Sequence, residues 1–281
     1  MKAFISIDLE GMPHIVSVEH LAPKRALYDE ARKIITKVTL AAIEALHENG
    51  FSEVIVADSH GPMINLLIDE LPEYVEVVRG YPRPVSMVYG VENCDLAVFL
   101  GYHAKAGTAR STFDHTYSGL TIASLVINGI EASEFLLNAW AAGHYDVPVV
   151  LVAGEEKLLS DDVAKYAPWV ERIILKRSAS RYAAISPSLT RIVKELRSGV
   201  ARAVEKFRNG ECKPLKTNYP VEMRVKFFKS SFTDAAELIP GAERIDALTV
   251  KFTAKDIIEA YKVFQLMTLA AFAINAITTP R

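Results

Sequence analysis

Cysteine is nearly absent. The 281 residues include two, Cys94 and Cys212, in no paired or metal-ligand spacing, which leaves a disulfide framework and a zinc-thiolate site without candidates and suits a reducing compartment. Long apolar runs are also missing. The most hydrophobic stretch, Val263 to Ile277, falls below the roughly 20 residues a bilayer needs, so no membrane partner is expected. Met1-Lys2-Ala3-Phe4 leads directly into a strand pattern without the basic, apolar and small-residue segments of a secretory signal, and a cytoplasmic location is the expectation. Charge of one sign is not in excess either: a formal net charge of −2 exerts no pull toward nucleic acid. There is no glycine-rich phosphate loop, no internal repeat and no low-complexity tract. Beyond Arg177 there is no histidine, so imidazole chemistry belongs to the N-terminal part.

What is present is a core. Hydrophobic residues make up 50% of the chain, enough for one large domain or two. Lys2 to Asp8 is rich in β formers, residues 25 to 49 carry apolar side chains at helical spacing up to Asn49-Gly50, and Glu53 to Asp58 is a second strand. Strand, helix, strand in succession predicts a parallel pair. Further strands are expected at Asp95 to Tyr102, Gly119 to Ile127, Val147 to Ala153 and Glu171 to Lys176, with a helix from Glu131 to Gly143 entered at Asn128-Gly129. A long amphipathic helix from Pro187 to Asn209, a basic connector, alternating strands at Val221 to Phe228 and Leu248 to Ala254, and a closing helix to Ile277 follow. The expected class is α/β, a mainly parallel sheet flanked by helices with a smaller α+β C-terminal part. We expect a metal-site domain over residues 1–180 and a covering or assembly domain over 181–281.

In parallel sheets ligands gather at the carboxyl ends of the strands. Asp8 and Glu10 stand there, two residues apart and so on one face of an extended strand. Paired carboxylates raise one another's pKa unless a cation neutralises them, so they read as a proton-sharing dyad or a metal site. His60 in Asp58-Ser59-His60-Gly61 and His103 after Gly101-Tyr102 occupy equivalent positions, and Glu134 opens a helix. Each has a plainer reading alone: His60 as a turn residue, His103 as a packed histidine, Glu134 as a first-turn acid favoured by the helix dipole. Their joint placement argues for metal. Oxygen and imidazole ligands without thiolate suit zinc, with manganese or cobalt open. Five ligands exceed what one catalytic ion needs and suggest two zinc ions per chain, about 3.5 to 4 Å apart, with Asp8 bridging.

The motif Ser-x-Asp-x-Glu-Gly at 6–11, together with Asp58-Ser59-His60, Gly101-Tyr102-His103-Ala104, His115, Ser133-Glu134-x-x-x-Asn138, Tyr145-Asp146-Val147-Pro148-Val149 and Ala254-Lys255-Asp256, resembles the DppA-type D-aminopeptidases, zinc-dependent metallopeptidases, over nearly the whole chain. The resemblance implies a paired-zinc site on Asp8, Glu10, His60, His103 and Glu134, and a catalytic histidine at His115. It also implies short peptide substrates and a ring-shaped homo-oligomer, a decamer. The loop between His103 and His115 departs from the family pattern by one residue, which bears on substrate preference. His115, with an ordinary pKa near 6.5, is suited to moving a proton, and a nucleophilic role is open. Asn138 is expected to offer an amide contact to substrate. Two other classes fit the same residues: a paired-metal hydrolase of another bond, an amidase or phosphoesterase, and a non-catalytic, transport-associated peptide-binding protein with a structural metal.

Overall fold

A computed structural model describes residues 1–279. The chain starts with β1 (Lys2–Ile7) and passes through α1 (Tyr28–Glu48) to the parallel strand β2 (Glu53–Asp58) and on to β3 (Val75–Val78). β4 (Leu96–Tyr102) lies on the other side of β1. The chain then leaves this sheet for an antiparallel hairpin, β5 (Ile122–Ile127) and β6 (Ile130–Glu131), before α2 (Glu134–His144). It returns as β7 (Val149–Glu155). A broken helical stretch follows: α3 (Glu156–Leu158), a π-helical turn over Leu159–Val163, and α4 (Ala164–Tyr166). β8 (Glu171–Ser180) and β9 (Ala183–Ile185) complete a seven-stranded sheet of order β3-β2-β1-β4-β7-β8-β9, parallel except for β9. The last part comprises α5 (Leu189–Arg208), β10 (Val221–Phe227), α6 (Ser230–Ala236), β11 (Ala242–Arg244), β12 (Thr249–Ala254) and α7 (Ile257–Thr278).

The α/β class read from the sequence is the observed one, and the reason is visible along β1 and β4. Ile5, Ile7, Val98 and Leu100 face a core shared with α1 and α5, while Phe4 and Phe99 face a second core shared with α2, α7 and a five-stranded antiparallel sheet, β11-β12-β10-β5-β6. Strands covered on both faces read as unbroken apolar runs. The two sheets are not separated at residue 180: β5 and β6 belong with β10, and α5 packs under β8.

Two local expectations are corrected. Asn128 and Gly129 both take positive φ, 48° and 80°, and form the tight turn of the β5–β6 hairpin rather than a helix entry. Glu131 therefore ends a strand; Ser133 caps α2, its hydroxyl accepting from the Leu136 amide, and Glu134 is the first helical residue. The closing helix is found where it was expected: α7 runs 22 residues and is long and apolar enough, by length and composition only, to cross a membrane. One stripe of it, Ala260, Phe264, Met267 and Ala271, is buried in the second core, while Leu266 and Phe272 are exposed.

Asp8 and Glu10 do not converge through a strand pleat, because β1 ends at Ile7. The chain turns there and crosses the end of β4 at backbone contact: Asp8 N donates to Leu100 O at 2.8 Å and Gly11 N to Gly101 O at 2.7 Å. Only glycine fits this crossing. A Cβ on Gly11 would lie 2.0 Å from Tyr102 O, and one on Gly101, whose φ is +74°, would lie 2.0 Å from Asp8 O.

Candidate metal centre

The candidate residues are delivered by several different element ends and one loop. Asp8 and Glu10 come from the turn after β1, His60 from the turn after β2, His103 from the end of β4, His115 from the loop beyond it, and Glu134 from the first turn of α2. All but His115 are more than nine-tenths buried. The turn bearing His60 is shaped by Asp58, whose carboxylate accepts from Asn65 Nδ2 at 2.7 Å and Leu66 N at 2.9 Å, so Asp58 is spent on structure. The turn after β1 is held from below by Lys176, a fully buried lysine on β8 whose ammonium donates to the carbonyls of Glu10 and Ile15. Sequence reasoning missed it, although a lysine within the apolar run Ile173-Ile174-Leu175 was a usable signal.

The imidazoles are oriented alike. His60 Nε2 donates to Leu21 O at 2.8 Å, His103 Nδ1 to Ala104 O at 3.0 Å, and His115 Nδ1 to Phe113 O at 2.7 Å. With one nitrogen of each committed to a carbonyl, the other nitrogen of the neutral ring presents a lone pair to the carboxylates. His60 Nδ1 lies 2.7 Å from Glu10 Oε2 and 3.4 Å from Asp8 Oδ1; His103 Nε2 lies 3.4 Å from Asp8 Oδ2 and 3.6 Å from Glu134 Oε1. The two oxygens of Asp8 thus face different histidines. Among the described residues Asp8 Oδ2, Glu10 Oε2 and His103 Nε2 are buried without a hydrogen-bond partner. Lone pairs facing lone pairs, in a buried cluster whose outer nitrogens are fixed by carbonyls, is the pattern of a cation site. Two ligand trios, Asp8–Glu10–His103 and His103–His115–Glu134, each bring their donor atoms within 4.8 Å of one another.

Without an ion, protons take up the mismatch. Burial and the neighbouring Glu10 push the Asp8 carboxyl up to about 7. Burial would also raise Glu10, but His60, His115 and His103 outweigh it and hold Glu10 well below the usual range. Burial opposes protonation of His103, yet Glu134, Asp8 and Glu10 bring it up to about 10, and Glu10 and Asp8 raise His60 likewise. His115 goes the other way, lowered by burial and by the charge on His103, against which it stacks at 4.4 Å. Its Nε2 stands 3.6 Å from Glu134 Oε1 and 3.9 Å from Glu10 Oε1. It stands beside the cluster as a neutral imidazole, within reach of the same carboxylates as His103.

A pocket of about 480 Å³ opens on this cluster, lined by Asp8, Glu10, His60, His115 and Glu134 on one side and by Tyr81, Leu269 and Phe272 on another. Asn138 does not line it. Fully buried, it donates to Tyr102 Oη at 3.0 Å and Met87 Sδ at 3.2 Å and accepts from Tyr117 Oη at 3.0 Å and from Tyr261. Its amide is therefore committed, and the expected substrate contact is replaced by a supporting one. Tyr117, which does line the pocket, is held by Asn138 through its hydroxyl and gives its backbone N–H to Glu134 Oε1 at 2.7 Å.

The M55 peptidase family model, D-aminopeptidase, matches residues 1–266. A curated D-aminopeptidase of Bacillus subtilis (strain 168) is 31% identical over 270 residues, covering 95% of this chain and 97% of that protein. The solved structure of the "Zn-dependent D-aminopeptidase DppA from Bacillus subtilis, a self-compartmentalizing protease" superposes with a TM-score of 0.92 at 31% identity, covering 97% of this chain and 98% of that one.

Proposed function

Because the chain belongs to the M55 family of D-aminopeptidases, we propose that it is a zinc-dependent aminopeptidase releasing N-terminal D-residues from short peptides. Asp8, Glu10, His60, His103 and Glu134 would hold two zinc ions. The observation that carries this reading is the set of buried imidazole nitrogens aimed at carboxylates while their partner nitrogens are fixed by backbone carbonyls. Zinc bound there lowers the pKa of a water toward neutrality and polarises a carbonyl. The chain does the rest. His115, neutral near pH 7 and pointing Nε2 into the pocket, takes a proton and returns it to the leaving amine. Glu134 is kept in place by the Tyr117 amide, and the apolar wall from α7 limits water around the substrate.

The test is proton release. Zinc must displace the protons that the metal-free cluster retains on His60 and His103, both raised above neutrality. Adding zinc to metal-free protein at about pH 8 is expected to release about two to three protons per chain, two from the imidazoles and up to one from bound water, and to bring bound zinc to about two per chain. Acidification to about pH 5 strengthens the competing protons, and zinc is expected to leave in step with activity. Zinc uptake without proton release, or turnover with no zinc bound, would overturn this assignment.

The same reading extends to assembly, as a ring-shaped decamer with α7 and the antiparallel sheet contributing to the interfaces. Exposed Leu238, Leu266, Leu269 and Ile277 supply apolar surface for it. Light scattering is expected to give a mass several times the 31.0 kDa of one chain; a fully active monomer at micromolar concentration would refute it.

A further inference from the structure

Among the described residues the pocket beside the cluster has a single lysine or arginine in its lining, Arg83. Its side chain is buried, 8% exposed, yet no carboxylate of the described residues lies within ion-pair distance of it. Every contact it makes is to neutral oxygen: Nε donates to Ser86 O at 2.7 Å, Nη1 to Val78 O at 3.1 Å, and Nη2 to Asp58 O at 2.9 Å and Ser59 Oγ at 3.1 Å. The nearby Asp58 carboxylate is committed to Asn65 and Leu66. One N–H of Nη1 is left over. A buried charge compensated only by dipoles is costly, and it is retained where a counter-ion completes it. Arg83 is also rigid, since its Nη2 grips the segment that leads into His60 and Gln265 of α7 bonds its backbone carbonyl at 3.4 Å. One pocket thus holds a carboxylate cluster and one fixed guanidinium.

We propose that Arg83 binds the C-terminal carboxylate of the substrate, so that the enzyme reads both charged ends of a short zwitterionic peptide. This rests on the aminopeptidase reading above and adds a specificity-determining residue to it. The peptide's amino end lies at the metal-binding cluster, its carboxylate meets Arg83, and the pocket of about 480 Å³ sets a length limit between them. Peptides with blocked C-termini lose the charged contact and leave the guanidinium uncompensated.

The experiment compares D-alanyl-alanine as the free acid and as its C-terminal amide, on the zinc-loaded wild type and on Arg83→Met and Arg83→Lys. The wild type is expected to favour the acid roughly 10- to 100-fold in kcat/KM, the range of a hydrogen bond to a charged group, with most of the difference in KM. Arg83→Met should bring the acid-to-amide ratio toward unity, and Arg83→Lys should restore part of it. A merely structural brace would lower both substrates together and leave the ratio alone. Calorimetric binding of the same two peptides to the wild type gives the preference even where a variant fails to fold or neither peptide is cleaved. Absence of turnover with acid-selective binding would sink the peptidase reading and keep this one. Equal handling of acid and amide by the wild type, or an unchanged ratio in Arg83→Met, would overturn the role of Arg83.

Discussion

His115→Ala is expected to lower turnover roughly 100- to 10,000-fold, the usual range for a lost general acid or base, while zinc content stays at the wild-type level. The fall should be in kcat more than KM. The expectation follows from the contrast within the cluster. In the metal-free cluster His60 and His103 are raised above neutrality by the carboxylates they face, whereas His115 is lowered, by burial first and by the charge of His103; burial remains when zinc replaces that proton, and keeps His115 a neutral imidazole able to accept a proton at pH 7. Its Nδ1 is anchored on Phe113 O, which fixes the other nitrogen toward the pocket. The loop behind it is pinned to β8 and the turn that follows it, where the Thr112 amide donates to Ser178 Oγ at 3.0 Å and Arg181 pairs with Asp114. Elemental analysis of the variant decides between roles. Because His115 also belongs to a ligand trio with His103 and Glu134, loss of an ion from His115→Ala equal to that from His103→Ala would make it a ligand.

Asp8→Asn is expected to remove most of the bound zinc and to cut turnover by about 1,000-fold or more, since the several kcal/mol that a metal contributes to the transition state go with it. Asp8 faces His60 with one oxygen and His103 with the other, so its loss removes a donor next to both imidazoles. A folding control accompanies this. In the metal-free protein, burial and Glu10 push the Asp8 carboxyl up to about 7 from an ordinary value of 3.8. Between those values the folded state binds more protons than the unfolded one, so Asp8 costs stability as pH rises to neutrality. The metal-free variant should therefore melt no lower than metal-free wild type at pH 7. A lower melting temperature together with wild-type zinc content would show that Asp8 serves the fold and not the metal.

The course of the main sheet was legible in the residues because a strand buried on both faces has to be apolar throughout, as in Leu96-Ala97-Val98-Phe99-Leu100, and a covering helix has to repeat its apolar side chains every three or four positions, as from Ala31 to Leu46. The hairpin at Asn128-Gly129 was misread because its second strand is only two residues long, too short to show a period of two before the Ser133 cap. Asp8, Glu10, His60, His103 and Glu134 stood out by residue type at element ends, and the packing brings them together. Arg83 and Tyr117 did not stand out, since they lie in irregular loops where no periodicity constrains the side chain, and Asn138 was given the wrong duty because its burial depends on tyrosines from three distant parts of the chain.

Sequence alone determined the secondary elements and the chemical types available at their ends, because both are local consequences of side-chain size, polarity and spacing. Tertiary structure alone decided the rest. That Asp8 and Glu10 meet through a glycine crossing over β4, that Lys176 holds the turn beneath them, and that Arg83 reaches the pocket without a counter-ion all depend on contacts between residues far apart in the chain, which no local pattern encodes.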